Sequence, residues 1–98
     1  MYSFRDKQEE AIAVKLVDAV LANGDRISVY DGEAYPVKFS SDREEILTAM
    51  ASTDMDTLVI RKPDHFRLGS VLLIYGNGED LISDHTANEH MDKLCSQI

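Results

Sequence analysis

The stretch LLIYGNGEDLISDHTANEH, residues 72 to 90, holds the side chains best suited to chemistry: Asp84, His85 and His90, with Glu89 and Asp92 close by. Imidazoles and carboxylates are suitable ligands for zinc or another divalent metal. Thr86 and Glu89 stand at capping-box spacing, so Thr86 is expected to open a helix. His85 then precedes the cap and His90 is the fourth helical residue, two positions that meet in a hydrophobic staple. The rings of His85 and His90 are therefore expected to be neighbours, with Asp84 as a third ligand. The competing expectation is a plain staple of rings, because H-x4-H alone is no metal signature.

The glycines of the same stretch are expected to turn the chain. Asn77 and Gly78 both tolerate the positive φ of a tight hairpin, which would pair Leu73 with Ile82 and Ile74 with Leu81. A phosphate-cradling loop would lead into a helix and carry a lysine followed by serine or threonine, whereas GNGED leads into LIS.

A second candidate is RKPDHFRL, residues 61 to 68, where Arg61, Lys62 and Arg67 surround His65 and Phe66. Such a loop can grip an acidic partner, and the alternative is a hairpin loop with flanking charges. Other groups are better explained without chemistry. Asp54 and Asp56 lack the further oxygens and the glycine of a calcium loop and read as solvated acids of a connector. Glu44 and Glu45 suit the first turn of a helix. Cys95 has no basic residue one helical turn away and reads as a core thiol. No nucleophile, base and oxyanion donor can be assembled by spacing, which points away from catalysis.

The elements that must position these groups follow from periodicity. Residues 4 to 22 are expected to form a helix with Ile12, Ala13, Leu16, Val17 and Val20 inward, ended by Asn23 and Gly24. Val14 and Leu21 widen its apolar face, which fits deep burial or a dimer contact. Residues 26 to 39 read as a hairpin. A three-residue loop from Asp31 to Glu33 sets Val29 opposite Tyr35 and Ile27 opposite Val37, and Pro36 places the second strand at an edge. Ser41 and Glu44 predict a helix over residues 41 to 51. Strands are expected at 56 to 62 and 69 to 75, the latter covered on both faces, and a last helix from about Ala87 toward Ile98. The order α-β-β-α-β-β-β-α predicts an α+β domain over residues 1 to 98, with a mostly antiparallel sheet of about five strands and helices on one face.

At 98 residues the chain has the length of one domain, and 44% hydrophobic residues can fill one core. A formal net charge of −8 works against phosphate backbones and anionic membranes. No apolar run approaches the ~18 residues of a membrane span, the N-terminus lacks a secretory pattern, and the one cysteine cannot pair within the chain, so a cytoplasmic location is expected. The leading expectation is a non-catalytic protein-interaction module acting as a homodimer, without a cofactor. The alternatives are a metal- or small-ligand-binding protein using Asp84, His85 and His90, and an acidic inhibitor that imitates nucleic acid.

Overall fold

The computed structural model describes residues 2–76, 78–96 and 98. Its elements follow the expected order: α1 (Lys7–Ala22), β1 (Arg26–Tyr30), β2 (Val37–Ser40), α2 (Arg43–Ala49), β3 (Met55–Arg61), β4 (Arg67–Ile74), β5 (Ile82–His85) and α3 (Glu89–Cys95), with a 3-10 turn at Gly78–Asp80 between β4 and β5. All neighbouring strands are antiparallel, in the order β2-β1-β3-β4-β5. The α+β architecture with a five-stranded sheet is thus as the periodicity predicts.

Successive strand residues point to opposite faces, so register sorts the sheet into two surfaces. Ile27 lies opposite Ile60, Val29 opposite Leu58, and Leu58 opposite Val71, and all are fully buried on the helix side. Ala13, Leu16, Val17 and Val20 of α1, Ile46 and Leu47 of α2, and Met91 and Leu94 of α3 complete this core. Burying each large aliphatic side chain contributes roughly 1.5–3 kcal/mol before chain entropy is counted. Ile12, Val14, Ala19 and Leu21 pack partly against the same core, so the widened apolar face of α1 is largely occupied by its own chain.

Among the described residues no helix covers the other surface. Arg26 faces Arg61, Ser28 faces Val59, Tyr30 faces Thr57, and Met55 faces Ile74. The expectation that β4 is covered on both faces is corrected here: Val71 and Leu73 are buried, whereas Leu72 and Ile74 on the outer side are only partly so.

Local chemistry shifts three further expectations. In the first hairpin Val29 pairs with Val37 and Ile27 with Ser40, with an irregularity between them, so Tyr35 lies in the loop. The Asp31 carboxylate draws the chain into a wider turn by accepting the N–H groups of Glu33 and Ala34. The cap of α2 is Asp42, which accepts from Glu44 and Glu45, while Ser40 Oγ accepts the Asp42 N–H. The cap of α3 is Asn88, two residues beyond Thr86. Thr86 instead continues the pairing to β4, its N–H donating to Ser70 O and its hydroxyl accepting from Ser70 N–H.

Next to the turn the β4–β5 pairing is as expected, with Leu73 opposite Ile82 and Ile74 N–H bonded to Leu81 O, and an irregularity then shifts the register so that Leu72 faces Asp84. The connection is wider than a two-residue loop because Gly78–Asp80 form a 3-10 turn; Asn77 lies outside the described residues. Among the described residues, no helix is long and apolar enough to cross a membrane.

Candidate functional site

The outer surface of the sheet has two unlike ends. At one end β1 begins and β3 finishes, so antiparallel pairing sets Arg26 directly opposite Arg61, and Arg61 in turn opposite Arg67 of β4. Like charges facing each other across a ladder are destabilising, so packing alone gives no reason for this arrangement. Lys38 of β2 joins them: with Arg61, Tyr35, Ser28 and Val59 it lines a shallow depression of about 250 Å³.

The β3–β4 loop adds an aromatic rim. Lys62 N–H donates to Phe66 O, the Asp64 carboxylate accepts the Phe66 N–H, and His65 takes a positive φ of 75°. This tight turn leaves Phe66 63% exposed, with the Lys62 ammonium 5.7 Å from its ring centre. His65 stacks on Phe39 of β2 at 4.0 Å between centroids and 12° between planes, and the Arg26 guanidinium lies 6.0 Å from the Phe39 ring centre. Phe39 is held there because its N–H donates to Ser28 Oγ at a φ of 50°. Arg61 is fixed by donation to His65 O at 3.0 Å. Among the described residues only Arg43 brings a lysine or arginine within salt-bridge distance of a carboxylate, so none of these cations has a carboxylate partner among them. The loop residues Arg61, Lys62, His65, Phe66 and Arg67 therefore meet in one place, joined by Arg26, Lys38 and Phe39. Sequence spacing could not supply those three, because strand order alone brings β1 and β2 to that corner.

The other end is acidic. Asp31, Glu33 and Asp54 surround Thr53 and the 46% exposed Met55 in an open depression of about 400 Å³. The N–H groups of Ala34 and Glu33 hold the Asp31 carboxyl below the usual carboxylate range, so it is ionised at neutral pH.

The histidine candidates lie elsewhere. Asp84 and His85 are consecutive residues of β5, so their side chains leave the strand on opposite faces. His85 Nδ1 is 3.1 Å from Thr86 O and 3.8 Å from Asp92, whereas His90 Nε2 is 3.3 Å from the buried carboxylate of Asp25. With Asn88 as the cap, His85 and His90 no longer occupy the staple positions. Among the described residues no group of three His, Cys, Asp or Glu side chains is placed to hold a metal ion. Burial, assisted by Asp92, pushes the Cys95 thiol up, away from a reactive thiolate.

A cleft of about 220 Å³ lies between the N-terminal segment, α1, the α2–β3 loop and the end of β4, lined by Arg5, Asp6, Glu9, Asp54 and Tyr75 among others. Three carboxylates in and beneath it serve the fold. Asp6 caps α1 through the Gln8 N–H, and buried Glu9 accepts the N–H groups of Gly76 and Gly78. The glycine turn does bind an anion, and that anion is the chain's own Glu9. Asp56, expected among the solvated acids, is instead fully buried and accepts from Tyr75 and Ala51. Its signal was present in DTLVI, where alternation sets Asp56 on the same face as Leu58 and Ile60.

Compared with known proteins, the chain matches no family model, no curated protein and no solved structure.

Proposed function

We propose that this protein is a non-catalytic protein-interaction module and that the uncovered face of its sheet is the binding surface, the cationic end receiving an acidic segment of a partner protein. The observation that carries this reading is the facing of Arg26, Arg61 and Arg67 across three adjacent strands, beside exposed Phe66, without a carboxylate partner among the described residues. Arginine beside aromatic rings is the composition that dominates binding energy at protein interfaces. The net charge of −8 opposes nucleic acid, whose continuous phosphate charge is repelled by the rest of the surface, whereas a short acidic segment meets only the local field.

The test is fluorescence anisotropy with a labelled peptide of alternating glutamate and tyrosine, at micromolar protein. Binding should weaken with added salt, fall about tenfold or more in an Arg61→Glu, Arg67→Glu double variant, and persist in a Lys7→Glu, Lys15→Glu variant on α1. Absent binding, or equal loss in both variants, would overturn the assignment.

A further inference from the structure

We infer that the partner seated on this face is a second copy of the chain, packed sheet to sheet about a two-fold axis that runs across the strands. The inference rests on the interaction reading above and names its occupant.

Its basis is the charge order along the strands. The outer face of β3 passes from Met55, whose end is bordered by the loop residues Asp31, Glu33 and Asp54, through Thr57 and Val59, to Arg61, beside Arg26 and Arg67. Seven residue steps lead from Asp54, in the bend before β3, to Arg61, roughly 23 Å at the usual strand rise. Negative charge at one end, positive charge at the other and a less charged middle make the face complementary to itself when one copy is turned end for end. A two-fold axis across the strands performs that turn. Placed over the middle of β3, near residues 57 and 58, it lays the cationic end of each copy, with Arg61, against the acidic depression of the other and brings the two middles together.

The middle is suited to being covered. Tyr30 and Tyr35 pack at 4.8 Å between centroids with their planes tilted by 43°, Tyr35 and Met55, 45% and 46% exposed, flank the middle toward the two charged ends, and Leu72 and Ile74 extend the same surface across β4. An interface made of one patch used twice closes at two subunits, whereas the same charges meeting head to tail would leave free ends and build open chains. Aligned packing of two sheets leaves their side chains interdigitated at about 10 Å, a spacing that leucine, methionine and tyrosine side chains can fill.

The experiment is analytical ultracentrifugation and native mass spectrometry of the full chain and two charge-reversed variants. The first variant carries Lys38→Glu, Arg61→Glu and Arg67→Glu, which sets three glutamates against Arg26 and Lys62 and makes both ends acidic. The second carries Glu33→Lys and Asp54→Lys, making both ends basic; Asp31 is left intact because its carboxylate holds the first hairpin turn. Circular dichroism confirms folding before either is used, and the single changes Arg67→Glu and Asp54→Lys, at exposed positions, stand in where a combined variant fails.

The wild-type chain should be a dimer that weakens with salt, and each variant alone should dimerise about tenfold or more weakly. An equimolar mixture of the variants should form a heterodimer of intermediate mass, since acidic ends then meet basic ends in both halves of the interface. A monomeric wild type, a dimer indifferent to both variants, open-ended oligomers, or variants that do not recognise each other would each overturn the inference. A monomer that still binds the acidic peptide would remove the dimer and leave the interaction reading standing; a monomer that ignores the peptide would remove both.

Discussion

The phenol of Tyr75 donates a 2.6 Å hydrogen bond to the fully buried carboxylate of Asp56. Burial pushes the Asp56 carboxyl above its ordinary range, against the pull of the Tyr75 hydroxyl and the Ala51 N–H. Burial and then Asp56 itself push Tyr75 upward, so the phenol stays a donor. A carboxyl whose folded pKa is raised keeps its proton in the native chain after the unfolded chain has lost it. Its contribution to stability is therefore full below the ordinary carboxylate pKa of about 4 and declines as pH rises through the raised value. Urea denaturation from about pH 4 to pH 7 should show this decline in the wild type and a flatter profile in Asp56→Asn. Tyr75→Phe should destabilise by about 1–3 kcal/mol at neutral pH and by less near pH 4, because only the ionised carboxylate strongly needs the donor.

Gly69 of β4 sits beneath α3. A Cβ there would lie 2.6 Å from Met91 Cγ, 2.9 Å from its Sδ and 3.0 Å from Thr86 Cβ. Met91 is fully buried and cannot swing into solvent. Gly69→Ala should destabilise by about 1–3 kcal/mol through overpacking. Combined with Met91→Ala it should lose less than the sum of the two single changes, and thermal denaturation of the four proteins measures that coupling.

Asn88 fastens α3 in two ways, accepting the Met91 N–H at its cap and donating through Nδ2 to Leu68 O at 2.9 Å. Asn88→Ala should therefore cost about 1–2 kcal/mol and speed amide exchange in residues 89 to 92. Thr86→Ala should leave those amides protected and loosen Ser70 instead, whose N–H the Thr86 hydroxyl accepts.

Glu9 joins the first turn of α1 to the β4–β5 turn at 2.7 Å from Gly76 N and 3.0 Å from Gly78 N. Glu9→Gln keeps the shape and removes the charge that strengthens these bonds. A loss of about 1–2 kcal/mol with faster exchange at Gly76 and Gly78 is expected, read by denaturation and hydrogen exchange.

The elements were legible where local pattern and tertiary demand agree. Ala13, Leu16, Val17 and Val20 show the helical spacing that α1 buries, and Leu73 meets Ile82 as alternation implies. The misplaced details share one cause. Thr86 and Ser41 have cap chemistry, but the nearby Asn88 and Asp42 also do, and pairing of Thr86 to Ser70 decides between the two candidates at α3. Propensity ranks such residues alike and cannot see the neighbouring strand. Likewise the RKPDHFRL loop was visible as a basic cluster, while Arg26, Lys38 and Phe39 enter it only because β1 lies between β2 and β3.

The sheet's two borders bear on how an added strand could extend it into a fibril. Cross-β growth needs a strand edge with an unbroken row of backbone donors and acceptors for an incoming chain. β2 is only four residues long, is preceded by Pro36 without an N–H, and turns the Phe39 N–H toward Ser28 Oγ. β5 is equally short, and the Asp84 carboxylate of the same strand takes the His85 N–H. Strand addition is blunted at both edges, while the apolar run of β4 stays inside the sheet between β3 and β5. Amyloid conversion would then have to begin from an unfolded or partly unzipped chain, so variants that loosen β5 should show a shorter lag before fibrils than equally destabilised variants of α1.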